Sequence, residues 1–477
     1  MHFIYFCYIY NIIHIAHSMI PCLCNLTQKA GKEIMQWSKY KDHLSLLPAG
    51  VQWLFFLFTN TVLVPLSVGH ALGMTAGDIT ASMQRSFILT GLLCIVQALW
   101  GHRYALMDGP AGIWWGLVLG IISSAPAMGM NPASVAASLT GGFLLAGMIG
   151  SLLAVLGFLK LLQRLFTPVV MGIYLLLLTF QLANTFFKGM IGYSAGGKWD
   201  LQLAGLSLVI ILFVSFIHLK AKGKLSQFSL LLGIIAGWIA YVICFGSSAS
   251  MGTASAESTA VWQWMPWGRP AFEPGIVMVG LLAGLVNMTN TLTSLLAADK
   301  LYQQQAAEKQ YIRSLLFTNL FSVAGACFGL IPFGTFASSI GFLENTKVLR
   351  RSALITGAAL LMLVGLIPAL SSWLALLPMS VGSAVLFVAY LQMFGTALNT
   401  LGRTSLNSKT IYRVALPVLT GIGIMNIPAA AFADFPPLLT PVASNGLVVG
   451  VIMAIVMENL VPWNQFEPAA SSLPLSK

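Results

Sequence analysis

Residues 287–294 put six polar side chains into an otherwise apolar stretch: Asn287, Thr289, Asn290, Thr291, Thr293 and Ser294. The stretch runs from about 275 to 298, long enough to cross a bilayer as a helix, which takes ~20 residues. At helical spacing Asn287, Asn290, Thr291 and Ser294 share one face. Amides buried in a membrane are costly unless protein or a wet cavity supplies partners. A stripe this dense therefore suits a cavity for a polar solute held by hydrogen bonds. It contains no Asp, Glu or His, so it can recognise a solute but cannot itself exchange protons.

Two Gly/Pro-interrupted stretches supply a second kind of chemistry. They are Met107-Asp108-Gly109-Pro110-Ala111-Gly112 and Pro332-Phe333-Gly334-Thr335-Phe336-Ala337, each followed by a short apolar segment, at 110–124 and 338–349. A helix that starts inside the membrane presents unpaired N–H groups and the positive end of its dipole. The extended residues before it expose backbone groups that survive at that depth only when buried in protein or lining a cavity. Two such breaks facing each other suit a planar heterocycle with alternating N–H and C=O groups. Phe336 and the pair Trp114-Trp115 can add stacking surface, although packing against helices or lipid serves the tryptophans equally well. Asp108 is the one carboxylate expected in this central region. It either carries a proton, the default reading of an intramembrane carboxylate, or caps the half-helix that follows.

Composition fixes the setting. The chain has 477 residues, 57% of them hydrophobic and 8% charged, with a mean hydropathy of +0.85. Soluble domains carry roughly 25% charged residues, so this is a polytopic membrane protein. Its net charge of +11 comes from Lys and Arg in short loops, which is a topology signal rather than a nucleic-acid footprint. The six cysteines are scattered, and the one close pair, Cys22 and Cys24, lacks the companions of a zinc or disulfide site. No cofactor or metal is expected. P-loop, HExxH and nucleophile-elbow patterns are absent, which argues against an ATP-driven pump and against an enzyme.

About fourteen apolar segments can be counted, all helical in character, with short broken ones third and tenth. Basic loops alternate with nearly neutral ones. Arg103, Lys160, Lys220 to Lys224, Lys300 to Arg313, Lys347 to Arg351 and Arg403 to Arg413 fall on one side, which the positive-inside rule makes cytoplasmic, with both termini. Thr59-Asn60-Thr61-Val62-Leu63 resembles Thr289-Asn290-Thr291-Leu292, and Pro168-Val169-Val170-Met171-Gly172 resembles Pro378-Met379-Ser380-Val381-Gly382. These matches, in the same order, suggest two seven-span repeats. Seven is odd, so the second is inverted, an architecture of transporters that hold substrate where broken helices meet. Under that symmetry Asn60 lies opposite the eighth-span stripe. The N-terminal 1–44 reads as an extension, poorly ordered or cytoplasmic, with the functional chain starting near Met35 and no basic leader of a signal peptide.

At these residues the chain resembles the nucleobase–ascorbate transporter family, also called uracil/xanthine permeases, from about Leu47 to Pro462. The carriers are Gln52-Trp53 followed by Thr61-Val62-Leu63-Val64-Pro65, then Pro270-Ala271-Phe272-Glu273-Pro274. They continue with Thr335-Phe336-Ala337-Ser338-Ser339-Ile340-Gly341, Leu377-Pro378 and Ser444-Asn445-Gly446. The likeness is greatest to an uncharacterised bacterial branch of purine permeases. It implies a core domain (45–160, spans 1–4, and 275–372, spans 8–11) and a gate domain (161–246, spans 5–7, and 373–463, spans 12–14). An outer loop at 247–274 and a tail at 464–477 complete the chain. The resemblance further implies a homodimer in the bacterial inner membrane that imports a nucleobase, usually with H+ or Na+.

The substrate-binding set is then Asn60, Gly109, Asn287, Thr289, Asn290, Thr291, Phe336, Ser338 and Ser339, with Asp108 as proton carrier or cap. The chain departs from the family by lacking the span-eight Glu that binds the base, and Ser338 and Ser339 stand where the family has an acidic or amide pair. Two rival functions share the fold: an anion carrier or uncoupled facilitator, which suits half-helix N-termini, and a membrane sensor that does not transport.

Overall fold

Long apolar segments in a bilayer must satisfy their own backbone, and a helix does so within one segment. The computed structural model describes residues 46–158, 164–193, 198–220, 228–246, 261–402, 404, 407–432, 434–436 and 439–466. The extension expected over 1–44, the tail beyond 466, residues 247–260 of the outer loop, and Lys160, Lys222, Lys224 and Arg403 lie outside the described residues.

A helix occupies each apolar stretch read from the sequence. In the first half these are α1 (Leu46–Ala71), α2 (Ala76–Leu99), α3 (Gly112–Ser124), α4 (Pro132–Val155), α5 (Pro168–Met190), α6 (Leu201–Lys220) and α7 (Ser229–Phe245). In the second they are α8 (Pro274–Tyr302), α9 (Glu308–Cys327), α10 (Ser338–Thr346), α11 (Arg351–Leu366), α12 (Met379–Leu401), α13 (Tyr412–Met425) and α14 (Gly446–Leu460). Among the described residues seven are long and apolar enough to cross a membrane alone. An eighth span results if α11 is joined to the short helix after it, across a bend of 91° at Pro368, where the ring removes a helical hydrogen bond.

Helix starts follow local chemistry. Thr75, Asn131, Thr167 and Asn445 each accept a hydrogen bond from a first-turn N–H of α2, α4, α5 and α14, and proline begins α4 and α5, where its missing N–H costs nothing.

The third and tenth segments are broken as expected. Strand β1 (Asp108–Pro110) precedes α3, and β2 (Phe333–Thr335) precedes α10. They pair antiparallel, Asp108 with Thr335, Gly109 with Gly334 and Pro110 with Phe333. An antiparallel match is what equivalent segments of two inverted repeats produce. The helices group around this pair in two packed sets. α2 lies on α11, and α4 on α8 and α9; separately, α5 lies on α12 and α14, and α6 on α7 and α12.

Close packing within the first set rests on glycine. A Cβ at Gly357 of α11 would lie 2.5 Å from Trp53 Cβ, 2.7 Å from Gly50 O and 2.8 Å from Leu54 N. Two of these are backbone atoms of α1 that cannot yield. Gly357→Ala should therefore force α1 and α11 apart and cost about 1–3 kcal/mol. A lowered midpoint of thermal unfolding in detergent, followed by fluorescence-detected gel filtration, is the expected result; an unchanged midpoint would refute the packing argument.

Candidate functional site between the broken helices

Two short strands meeting at membrane depth leave backbone groups that water cannot reach. Half of them are met by the partner strand and its flanks: Ala111 N donates to Pro332 O at 3.1 Å, and Phe336 N to Met107 O at 2.9 Å. The paired residues Gly109 and Gly334 are glycines for steric reasons. A Cβ at Gly109 would stand 3.0 Å from Met107 Cε and 3.4 Å from the Phe336 ring. One at Gly334 would stand 2.9 Å from Ala111 Cβ and would collide with Asn287 Oδ1.

The outer edge of β2 has no third strand. Its carbonyls alternate, so those of Phe333 and Thr335 point away from β1. Here the polar stripe of α8 is spent. Asn287 Nδ2 donates to Phe333 O at 2.8 Å and Asn290 Nδ2 to Thr335 O at 2.9 Å. From α9, Ser322 Oγ accepts from Phe333 N at 3.0 Å. The two amides thus seal a sheet edge that would otherwise be exposed. Each keeps its carbonyl oxygen. Asn287 Oδ1 is buried without a partner, whereas Asn290 is only half-buried.

The other stripe members divide. Thr289 Oγ1, Thr293 Oγ1 and Ser294 Oγ donate to carbonyls of their own helix, while Thr291 Oγ1 is buried and unpaired. Ser339 is buried and accepts from Met107 N at 3.0 Å, tying the start of α10 to the approach of β1. Ser338 is exposed and Phe336 half-buried. Asn60 is placed elsewhere: its amide donates to Phe56 O at 2.8 Å. With Gln52, Thr59 and Phe342 it lines a cavity of ≈ 30 Å³ that also reaches Phe228 and Leu231 at the start of α7. Trp114 is buried on Phe143 of α4. Trp115 donates from Nε1 to Ser67 Oγ at 2.7 Å and lies against Phe186 and Tyr390.

Asp108 is fully buried and triply held. Thr335 Oγ1 donates to its Oδ1 at 2.6 Å, across the strand pair. His102 Nε2 lies 2.9 Å from its Oδ2. Tyr104 N donates to His102 Nδ1 at 3.1 Å, and a backbone N–H can only donate, so Nδ1 is unprotonated and Nε2 carries the proton toward the carboxylate. Cys94 Sγ of α2 meets the Asp108 backbone, donating to its O at 3.1 Å and accepting from its N at 3.3 Å.

The pairing of His102 with Asp108 is what sequence reasoning missed, since the sequence places His102 and Arg103 only at the cytoplasmic entry to this broken segment. His102 reaches back because Arg103 turns the chain at φ 61, and the available signal was a His six positions before an Asp in a non-helical link. The link itself is pinned by Tyr104, whose hydroxyl donates to Asp299 Oδ1 at 2.5 Å. Tyr311 donates to the same carboxylate, and Ala105 N donates to Tyr302 Oη at 3.1 Å. Among the described residues no group of three His, Cys, Asp or Glu side chains could hold a metal ion.

Comparison with known proteins agrees with this architecture. Similar solved structures include the transmembrane domain of a cyanobacterial bicarbonate transporter, BicA. It has 16% identity and a TM-score of 0.54, over 86% of this chain and 97% of that one. Another is the murine anion transporter Slc26a9 in an inward-facing state, with 12% identity and a TM-score of 0.57, over 87% of this chain and 68% of that one. At these identities the likeness is one of fold. Sequence relatives include the "Putative purine permease YwdJ" of Bacillus subtilis, 28% identical over 88% of this chain and 97% of that protein. The uric acid transporter UacT of Escherichia coli is 24% identical over 86% and 85%. The xanthine permease of Bacillus subtilis is 24% identical over 89% and 94%. The Permease family (Xan_ur_permease) matches residues 44–430. The chain is thus a multi-pass membrane transporter, not an enzyme, and belongs to the xanthine/uracil permease family.

Proposed function

We propose that the chain imports a nucleobase, a purine such as xanthine or guanine in preference to uracil, across the bacterial plasma membrane, with both termini cytoplasmic. The observation that carries this reading is the polarity of the site. Asn287 and Asn290 each commit one amide N–H to β2, so the half-buried Asn290 can offer a solute its carbonyl oxygen and its second N–H side by side. Further donors come from the first turn of α3, where the N–H groups of residues 112–114 have no helical partner; in α10 Ser339 N and Ile340 N already donate to Phe336 O and Ala337 O. A neutral lactam base offers ring N–H and C=O side by side and matches that pattern. Phe336, packed near Gly109, supplies a face for the ring. The uric acid and xanthine carriers among the relatives favour a dioxopurine. Gly109, Thr289, Thr291, Ser338 and Ser339 complete the frame around the base, and Asn60 stands on the route from the cavity beside α7.

Coupling to protons then falls to Asp108. It is the carboxylate at the strand pair, and a proton gained there would alter the bonds to His102 and Thr335 rather than to the base. No charge stands on the facing part of α8, and the nearest other carboxylate on that helix, Asp299, is engaged by Tyr104 and Tyr311.

Three outcomes are expected. In a host lacking its own carriers, labelled xanthine uptake should be competed by purines more strongly than by uracil; a well-expressed protein that takes up no base would overturn the reading. Asp108→Asn can keep both hydrogen bonds, its carbonyl oxygen toward His102 and its amide toward the Thr335 hydroxyl. It should flatten the pH dependence of uptake while leaving binding within about twofold, as expected when hydrogen bonds are conserved; a mutant that keeps the wild-type pH profile would exclude Asp108 as proton carrier. Asn290→Ala should raise KM about tenfold, the loss of one or two buried hydrogen bonds. Asn287→Ala, which orphans the fully enclosed Phe333 carbonyl, should show first as lost thermal stability. Equal effects of the two on KM alone would contradict the division of roles.

A further inference from the structure

The half-helix α3 carries glycine at Gly112, Gly116 and Gly120, four residues apart and so on one face. Every close neighbour of these glycines comes from the gate set of helices. A Cβ at Gly112 would meet Tyr390 Oη of α12 at 3.1 Å, and one at Gly116 would meet Leu178 Cδ1 of α5 at 2.9 Å. One at Gly120 would meet Gln181 Nε2 of α5 at 2.7 Å and Asn445 Nδ2, just before α14, at 3.1 Å. The opposite face of α3 is fixed to the core helices through Trp114 on Phe143, while Trp115 bridges the sets, donating to Ser67 of α1 and packing against Phe186 of α5 and Tyr390 of α12. The repeat partner α10 is treated differently. Gly341 has nothing within 4 Å of its Cβ position, and the cavity lined by Asn60 and Phe342 opens beside it. The gate is closed on one half-helix and open beside the other.

The polar groups at the closed contact are poorly matched. Gln181 Nε2 donates to Gly116 O at 2.6 Å, a carbonyl already inside a helix. Its Oε1 is buried with no partner, and so is Asn445 Nδ2, although Asn445 is only 5% exposed and its Oδ1 caps α14 through Val448 N. Orphaned amide oxygens occur inside the core too, at Gln97 and Asn287. What sets this contact apart is that two buried amides meet a smooth glycine face across the boundary between the two sets, where the bond made by one offsets only part of the cost of the atoms left unpaired.

We infer that Gln181 and Asn445 are positioning residues that latch the gate on α3 in this conformation and release it when the core moves to the opposite one. The three glycines let the gate approach closely enough for Gln181 to reach a backbone carbonyl. On opening, a carbonyl one turn away, at the 5.4 Å helical pitch, can accept from Asn445 Nδ2, and entering water can donate to Gln181 Oε1. The latch acts through α3, whose N-terminus faces the proposed solute site. This rests on the alternating movement proposed above but not on the identity of the solute.

The first arm of the test needs no solute. Asn445→Cys places a reporter in the contact, and its rate of labelling by a water-soluble maleimide is read by peptide mass spectrometry in purified protein, so that the exposed Cys244 does not interfere. Adding Gln181→Ala removes the latch bond, and adding Gly120→Ala wedges the contact. Each should speed labelling about fivefold, the factor one net hydrogen bond carries. The pair Gly120→Cys and Asn445→Cys, oxidised to a disulfide, should lock the protein and stop uptake reversibly, with reductant restoring it. Unchanged labelling in both double variants, or full uptake with the disulfide formed, would overturn the latch. Loss of base uptake with labelling still responsive would instead count against the nucleobase reading alone.

Discussion

A pair of three-residue strands in the middle of a membrane can exist only if every backbone group finds a partner. That constraint organises the centre of this molecule. β1 and β2 satisfy each other along one edge, and the remaining carbonyls of β2 must be met by side chains, since among the described residues no further strand lies beside it. Asn287 and Asn290 meet them from α8, and Ser322 meets the Phe333 N–H from α9. Glycine at 334 is a consequence, because Asn287 of α8 can reach the β2 edge only if no side chain stands between, while the register partner Gly109 makes room for Met107 and Phe336. The broken helices, the polar stripe and the glycines are one device rather than three.

The same reasoning separates what is fixed from what moves. Within the core set, side chains tie one helix to the next: Gln97 Nε2 bonds both Ser314 O and Thr318 Oγ1, and Gln84 bonds Gly365 O. Across the boundary between the sets, Gln181 Nε2 bonds Gly116 O, and Gln181 Oε1 and Asn445 Nδ2 are left without partners. Smooth glycine on α3 and exposed Gly341 on α10 present little relief for the gate to catch on. A boundary made of small residues and a side-chain bond to a helix carbonyl is one that a core moving as a unit against a gate can part without unpicking either set.

Hydropathy and loop charge made the helices legible, because a bilayer imposes a length and a polarity that few other environments do. The breaks at Gly109-Pro110 and Phe333-Gly334 were legible too, since those residues cannot continue an apolar helix. The partners of the polar groups were not legible. An Asn stripe looks the same in sequence whether it faces a cavity or a strand edge, and only the 333 and 335 carbonyls, 46 and 45 positions away, decide it. Asn60 shows the limit of repeat symmetry. Sequence similarity places it as a mate of Asn290, yet it spends its amide on its own helix and lines a different cavity. His102 was hidden because the turn at Arg103 is a backbone event with no strong residue signature.

The lack of charge in the α8 window acquires a physical sense from Thr335. Its hydroxyl donates to Asp108, and its carbonyl accepts from Asn290. A carboxylate beside the solute would have to lose its charge or pay desolvation whenever the site emptied or filled. Here the one carboxylate is set on the strand itself, enclosed by His102, Thr335 and Cys94, while the face proposed to meet the solute is neutral. Under the proposed coupling, a proton arriving at Asp108 weakens its hold on the Thr335 hydroxyl and frees that residue to shift. Its carbonyl moves with it, and so does the amide of Asn290 that the carbonyl holds. Binding and protonation would then communicate through one threonine of the strand pair, without the two ligands ever touching.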